Sequence, residues 1–500
     1  MQTHMTVAPA SADVVVVGSG AAGGAIAFAC AERGLRVVVI EKGSEYQRAD
    51  YTHDELSICR RNFFLPYMAD EPRTFREHAD HPAGKSNFAW ISCCVGGGTV
   101  HWSGFSYRFA ASDFVGWPID LATLEPYYAR AEALLGVTRA LNVHPLAKRF
   151  AERVRAMGHA TEQSPRAILR EATATRGACN YCDFCGSYGC ETGAKGSSQE
   201  ALLAPARATG RCNVISRTVV TEITKGADGR ATGVQVLRDN GERHEMRAAV
   251  VVVAASAIES ARLLLLSKLG NSSGLLGNGL MFLTVANGEA TFLRRAGDPV
   301  FANGSPFFDV TARLRAGVVN FGFAHPNPIF NAEKLAGSGA SAVWGKPLVE
   351  RLRRHFREGL HVDFEGYSPC TRVDTNAVDL DPDVRDKWGL PVARITFKRP
   401  ERDFAASLAL ATHGTALLQK AGADRVAEPS HGESLVVVQS GTCRMGRDAR
   451  TSVVDAAGKL HDAANVYVAD SAVFPTSGSV PHTLTIVANA LRMGDEIARR

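Results

Sequence analysis

The chain has no run of lysine or arginine, no nucleic-acid recognition motif, and a formal net charge of only +5 over 500 residues. A nucleic-acid partner is not expected, because phosphate backbones are bound by concentrated positive charge. An apolar run of membrane-spanning length is also missing. The longest candidate, AAVVVVAASAIESARLLLLS, is interrupted by Glu259 and Arg262. The opening stretch, MQTHMTVAPASADVVVVGSG, carries neither a charged-then-apolar secretion signal nor a twin-arginine pair. No internal repeat and no low-complexity segment occurs. These absences lead to the expectation of a cytoplasmic protein with no membrane span.

What is present reads as a globular protein. Hydrophobic residues make up 45% and charged residues 21%, ordinary values for a folded chain. The length exceeds one simple core and points to two intimately joined domains. There are eleven cysteines, an odd number, and four of them fall within the twelve residues Cys179 to Cys190. In a reducing compartment this favours a metal, a cluster or free thiols over a disulfide framework.

The first organised unit is DVVVVGSGAAGGAIAFACAERGLRVVVIEKG. Val14 to Val17 reads as a buried parallel strand, and Gly18-x-Gly20-x-x-Gly23 follows it. A helical stretch carrying Ala25, Ile26, Ala29 and Cys30 leads to a second strand, Val37 to Ile40, which ends at Glu41. Gly18 permits the tight turn, Gly20 lets a pyrophosphate approach the backbone, and Gly23 lets the helix pack on the sheet. Glu41, 23 positions after Gly18, is placed to accept hydrogen bonds from a ribose hydroxyl. The unit by itself does not separate FAD from NAD.

Further along, residues 50 to 90 show no regular period and read as a lid or wrapping excursion. Trp117 to Val137 reads as a turn into an amphipathic helix. Residues 212 to 265 read as alternating strands that end in a buried strand and the helix SAIESARLLLLSK. Residues 285 to 400 mix short strands with Gly/Pro turns, as in an antiparallel sheet. The C-terminal hundred residues return to α/β character and end in the helix TLTIVANALRMGDEIARR.

Three further stretches, CVGGGTVHWSG (94–104), GTCRMG (441–446) and NVYVADSAVFPTSGSVPHTLTIVANALR (465–492), join this unit in one order. Together with WPIDLATLEPYY and KWGLPVARI they resemble the glucose–methanol–choline (GMC) oxidoreductase family, on its pyranose-oxidase-like or sugar-dehydrogenase-like side. The resemblance spans nearly the whole chain. It implies an α/β fold, with a Rossmann-type FAD-binding domain interleaved with an antiparallel-sheet substrate domain. On that pattern residues 1–50, 85–135, 200–285 and 435–500 form the FAD domain. Residues 51–84, 136–199 and 286–434 form the substrate domain, with the cysteine-rich loop 179–190. The implied activity is oxidation of an alcohol by hydride transfer to FAD, on a small polyhydroxylated molecule such as a sugar or aminocyclitol. Dioxygen and a redox partner both remain open as electron acceptor.

The same resemblance assigns cofactor contacts. Gly97 and Gly98 let the backbone lie against the isoalloxazine, His101 and Trp102 sit beside it, Asp470 and the backbone near it face the ribityl–pyrophosphate side, and Thr483 is a further cofactor contact in the C-terminal segment. VGGGTVHWSG is similar to the stretch of pyranose oxidases in which this histidine is bonded to the flavin. Covalent FAD through His101 and a packed histidine beside free FAD are both open.

Alcohol oxidation by hydride transfer needs an acceptor for the hydroxyl proton, and histidine suits that task near neutral pH. The family's usual histidine, three residues before the glycine of GT, is replaced by Val438. The family's second position, histidine or asparagine, is Pro481. The next residue is His482, and a one-residue shift of the turn makes it the expected catalytic base. Gln439 and Ser440 can orient a hydroxyl but are poor bases, and His431 and His461 read as surface residues. The altered pair keeps two rivals in view: a lyase or other non-redox relative that retains FAD, and an electron-transfer or binding subunit.

Cys179, Cys182, Cys185 and Cys190 are spaced C-x2-C-x2-C-x4-C. This is one residue longer in the last gap than bacterial ferredoxin runs, and it lacks their proline. Some sugar dehydrogenases that resemble this chain bind an iron–sulphur cluster in such a stretch. A cluster, a zinc ion and a loop of free thiols are the readings open here. Cys443 is expected to be a buried small hydrophobe.

Overall fold

The computed structural model describes residues 11–500 apart from 61–62, 87, 140–143, 183, 297, 299–309, 315–316 and 325–326. The strand Ser11–Val17 pairs in parallel with Val37–Ile40 on one side and with Arg243–Val253 on the other. All residues of Val14 to Val17 and Val37 to Ile40 are buried, which is why the sequence there is an unbroken apolar run rather than an alternation. These strands belong to a seven-stranded sheet. Its order is Cys212–Ile215, Val37–Ile40, Ser11–Val17, Arg243–Val253, Ala231–Arg238, Thr218–Lys225, and Val466–Val468 also pairs with Arg243–Val253.

Arg243–Val253 changes character along its length. Its first half alternates between exposed and buried residues and pairs antiparallel with Ala231–Arg238. Its second half, apolar throughout, pairs in parallel with Ser11–Val17 and with Val466–Val468. The change in hydrophobic pattern thus marks the change in partner.

The helices Ala21–Glu32 and Thr483–Ile497 cross closely beside this sheet, because small residues meet there. A Cβ on Gly494 would come within 2.7 Å of Ala29 Cβ. The helix Leu121–Leu135 is capped by Asp120, whose Oδ1 accepts from Thr123 N at 2.9 Å, and it ends at Gly136 with φ +71°.

A second seven-stranded sheet is antiparallel. It runs Arg425–Val426, Met281–Leu293, Gly359–Ser368, Gly317–Phe323, Val310–Leu314, Thr161–Glu162, and Ser430–Ser440 also pairs with Met281–Leu293. One face carries Ala286, Ala290, Phe321, Val362 and Phe364. It packs on Phe150 of the helix Pro145–Ala156 and on Leu410 and Leu417 of the helix Glu401–Lys420. The other face carries Leu283, Val285 and Tyr367, against which Val438 lies.

Two of the boundaries expected from sequence, 285/286 and 434/435, fall inside the strands Met281–Leu293 and Ser430–Ser440 of this sheet. The lid-like stretch supplies one side of a separate four-stranded sheet, in which Arg73–Arg76 pairs in parallel with Pro391–Thr396. Among the described residues no helix is long and apolar enough to cross a membrane.

Candidate active site

The glycine turn after Ser11–Val17 is held by contacts that leave no room for side chains. Gly18 has φ +98°, and a Cβ on it would lie 2.5 Å from Ala254 O. A Cβ on Gly23 would lie 1.9 Å from Gly18 O, so only glycine lets the helix start this close to the strand end. At Gly20 a Cβ would meet nothing within 4 Å, so this backbone faces open space. Gly20 caps Ala21–Glu32 without any side-chain hydrogen bond, and no acid sits in the first turn. The free N–H groups of that turn form an anion site of the kind a pyrophosphate occupies.

Glu41 ends the second strand and is buried. Its Oε2 accepts from Ser19 Oγ at 2.7 Å and Ser19 N at 3.1 Å, and its Oε1 accepts from Gly43 N at 2.9 Å. Burial raises its pKa, and these three hydrogen bonds oppose the rise.

Sequence reading missed the ties around this turn. Ser19 Oγ accepts from Gly96 N at 3.0 Å. Ser198 Oγ donates to Ser19 O at 2.8 Å, and Ser198 N donates to Thr99 Oγ1 at 2.7 Å. A Cβ on Gly97 would come 2.9 Å from Gly20 Cα. The loop 94–104, nearly eighty residues from the glycine turn in sequence, is therefore pressed onto it. Ser19 sits inside the glycine motif and was visible there. Ser198 has no local signal.

In that loop a short 3-10 turn, Gly97–Val100, precedes His101. The His101 imidazole lies 2.7 Å from Ser92 Oγ through Nε2 and stacks on Phe64 with ring centroids 5.0 Å apart. Burial, with the Lys195 ammonium, pushes its pKa down to about 3, so the ring is neutral. The Trp102 indole Nε1 is buried and has no partner among the described residues. Lys195, another residue that sequence reading passed over, donates from Nζ to Trp102 O at 3.1 Å, Cys185 O at 2.6 Å and Tyr188 O at 2.6 Å. Burial lowers its pKa. It ties the backbone after His101 to the cysteine loop.

Asp470 follows the strand Val466–Val468. Its Oδ2 accepts from Ser256 N at 2.9 Å and Ser260 Oγ at 2.5 Å, and its Oδ1 accepts from Ala472 N at 2.8 Å. Burial raises its pKa to about 6 despite these bonds. The carboxylate fastens the start of the helix Ala257–Leu266 to the start of the short turn Ser471–Val473. Gln439 is occupied in the same way: its Oε1 accepts from Ile258 N at 3.3 Å and its Nε2 donates to Trp90 O at 3.1 Å. The Ser440 hydroxyl is buried and has no partner among the described residues.

His482 caps the final helix, Thr483–Ile497, through its backbone only; its carbonyl accepts from Ile486 N at 2.9 Å. The first turn, opened by Thr483, has no acidic residue. The His482 ring is buried edge-on to Phe474 at 5.5 Å, and Nδ1 has no partner among the described residues. Burial lowers its pKa to about 4, with the Ser477 backbone opposing the shift. It is therefore a neutral imidazole with an unused nitrogen at neutral pH. Val438 is apolar among Leu283, Val285 and Tyr367 and offers no proton site. Of the other histidines, His431 is exposed, and His461 Nε2 is engaged with Ser452 Oγ at 2.8 Å. Cys443 is fully buried, as expected.

The metal expectation for Cys179, Cys182, Cys185 and Cys190 gains no support from the geometry. The four line one small cavity with Phe184 and Lys195, and none is in a disulfide. Among the described residues no three His, Cys, Asp or Glu side chains converge to hold a metal ion. Left-handed backbone at Tyr181 (φ +56°) and Ser187 (φ +71°) bends the loop within this run, and burial pushes the Cys185 thiol up to about 12. Among the described residues the geometry gives no support for an iron–sulphur cluster or zinc.

FAD does fit the other residues. The open backbone at Gly20, the uncapped helix start, the neutral His101 and the buried unpartnered Trp102 nitrogen all lie along the seam between the glycine turn and the loop 94–104.

Comparison with known proteins agrees. The chain is 32% identical to paromamine 6'-oxidase of Streptomyces fradiae, over 97% of this chain and 91% of that protein. It is 30% identical to 2-methyl-1,2-propanediol dehydrogenase of Mycolicibacterium austroafricanum, over 99% and 97%. Its fold superposes on pyridoxine 4-oxidase from Mesorbium loti with a TM-score of 0.66 at 17% identity, covering 98% of this chain and 99% of that one. Residues 12–284 and 373–490 match the N- and C-terminal domains of GMC oxidoreductases, and the chain belongs to that family.

Proposed function

We propose that this protein oxidises an alcohol group on a polyhydroxylated small molecule of the sugar or aminocyclitol kind, with His482 as the acceptor of the hydroxyl proton. The alcohol-oxidising part of this reading rests on family membership over most of the chain. The preference for aminated sugars is supported by the likeness to paromamine 6'-oxidase. One observation carries the choice of base: His482 is buried, neutral and has an unpartnered Nδ1, while Val438 and Pro481 cannot take a proton. FAD, when bound, supplies the hydride acceptor. Gly18, Gly20 and Gly23 would hold its pyrophosphate side, with Glu41 at the ribose. Gly97, Gly98, His101, Trp102, Asp470 and Thr483 would enclose its flavin side.

We read the FAD as held without a covalent bond, because Nε2 of His101 is already engaged by Ser92 and the ring is stacked on Phe64. Acid precipitation then leaves yellow flavin in the supernatant. Colour retained in the pellet, and lost in His101→Ala, would place a bond on His101. A cytoplasmic location belongs to the same reading and is supported by the ten described cysteines, none of which is in a disulfide.

The decisive experiment is anaerobic absorbance during addition of candidate amino sugars, sugars and diols. Bleaching of the flavin band supports the oxidase or dehydrogenase reading. A bound compound that is converted with no bleaching would establish the lyase reading, and binding with neither conversion nor bleaching the binding-subunit reading.

A further inference from the structure

Between the strands Gly317–Phe323 and Gly359–Ser368 the chain leaves the antiparallel sheet and makes two helices, Pro328–Ala336 and Lys346–Arg353. The second continues as a wider turn through Arg354–Glu358. None of these three elements buries a single residue. The helices nevertheless hold a fixed place. Glu55 accepts from Ile329 N at 2.8 Å and Phe330 N at 2.6 Å, and Tyr188 donates from its hydroxyl to Asn327 Oδ1 at 2.8 Å. The connecting segment is tied to the first helix by Val343 N to Ala336 O at 2.7 Å, and the second helix to the first by Arg351 Nη1 to Leu335 O at 3.3 Å. Leu348, Leu352 and His355 lie half-buried on the inner side.

The outer side is unusual for a solvent face. Trp344 is 82% exposed, Val349 46% and Phe356 41%. Lys346, Val349, Arg353 and Phe356 follow one another at helical spacing, so cations and large apolar groups share one stripe. Residues 346–358 contain five cations, Lys346, Arg351, Arg353, Arg354 and Arg357, against Glu350 and Glu358. This excursion thus holds a net +3 in a chain whose total is only +5. Among the described residues none of the five forms an ion pair. A protein core would exclude these charges, and water alone gives no reason for an outward tryptophan and phenylalanine. Aromatic tips with arginine and lysine between them match the boundary of a phospholipid layer. There the rings enter the headgroup zone, the long basic stems lie along them, and the cations meet lipid phosphates.

We propose that the 344–358 face docks this protein on an anionic phospholipid surface. The opposite charge of the lipid selects this occupant over a second copy of the chain, whose matching face would bring its own five cations against these. The proposal stands apart from the redox reading, since none of its residues touches the cofactor seam.

The test is flotation of the full-length, FAD-loaded protein with vesicles of phosphatidylcholine alone and of phosphatidylcholine with phosphatidylglycerol. Binding to the anionic vesicles only is expected, and it weakens steeply as salt is raised. The triple variant Arg353→Glu, Arg354→Glu, Arg357→Glu is expected to lose at least about a hundredfold in partition, given about fivefold per cation at such a surface. Trp344→Ser keeps the charge and is expected to lose about tenfold. All four positions are exposed, and an unchanged flavin spectrum and light-scattering mass check that each variant is folded. Absence of flotation at low salt overturns the proposal, as does equal binding to neutral vesicles. So does a wild-type dimer that Trp344→Ser converts to monomer, which would make the face an interface between copies.

Discussion

The cofactor seam and the substrate-facing sheet are built on different rules. In the seam, backbone touches backbone: Gly18 against Ala254, Gly23 against Gly18, Gly97 against Gly20. Each contact forbids a side chain, so residue identity there is dictated by space. Around His482 the proposed chemistry rests on side chains instead. Valine occupies one of the family's proton-handling positions and proline the other, and a neutral histidine stands one residue further on. Where the main chain itself forms the site, the motif survives as a pattern of glycines. Where a side chain forms it, the function can move to a neighbouring residue.

The sharpest way to break this contrast is to put a side chain into the seam. Gly23→Val adds three carbons, the first of them 1.9 Å from Gly18 O, and is expected to cost about 3 kcal/mol or more. The purified variant should be colourless and should melt at a lower temperature than the wild type. A yellow, stable variant would show that the turn has slack the geometry does not reveal.

The corresponding change on the other side removes the proposed base. His482→Ala should keep its flavin and lower kcat/KM by about a hundredfold to ten-thousandfold. The pH dependence separates this role from simple packing. The His482 pKa falls from 6.5 to about 4 on folding, so between those values the unfolded chain binds a proton that the folded chain does not. Stability present at neutral pH is therefore lost as pH falls through this window, by up to about 3 kcal/mol from His482. His101, whose pKa falls to about 3, acts in the same direction. The wild-type kcat/KM should hold down to about pH 5 and drop near 4. Thermal melting of His482→Ala should depend less on acid than that of the wild type.

Two smaller effects test the borders of the regions. Glu41→Gln keeps one acceptor for Ser19 and Gly43 but loses the other, and should weaken FAD binding by about tenfold. Titration of the apoprotein with FAD measures this. Val438→His introduces the family's histidine against Leu283, Val285 and Tyr367, and should cost about 1–2 kcal/mol in stability for a polar ring on an apolar patch. In an active His482 enzyme it should change kcat by less than about threefold, whereas on the His482→Ala background it should restore about tenfold. Failure of that rescue would mean that position 438 does not reach the reacting hydroxyl.

Much of the seam was legible because its signals are local. Four valines, three glycines, a helix and Glu41 lie within thirty residues, and their order carries the geometry. Ser198, Thr99 and Lys195 were not legible. Each acts through a hydrogen bond to a segment distant in sequence, and a lone serine or lysine has no periodic signature. The cysteine run left several readings open for the opposite reason. Its spacing suits convergent thiols, but the left-handed turns at Tyr181 and Ser187 and the ammonium of Lys195 shape the loop into a cavity without a ligand set. The strand edges at Met281–Leu293 and Ser430–Ser440 were also blurred, because antiparallel partners more than a hundred residues apart leave no mark at the boundary.

By itself the sequence determined the α/β class, the glycine turn and its acid, the family resemblance and the absence of histidine at 438 and 481, because these depend on residue type at short, fixed spacings. The tertiary structure decided that loop 94–104 presses on the glycine turn, that His482 is buried and neutral, that the four thiols do not converge, and that a basic, aromatic face is left outside every core. Burial, pKa and convergence are properties of groups brought together from distant segments, and only the folded chain sets those distances.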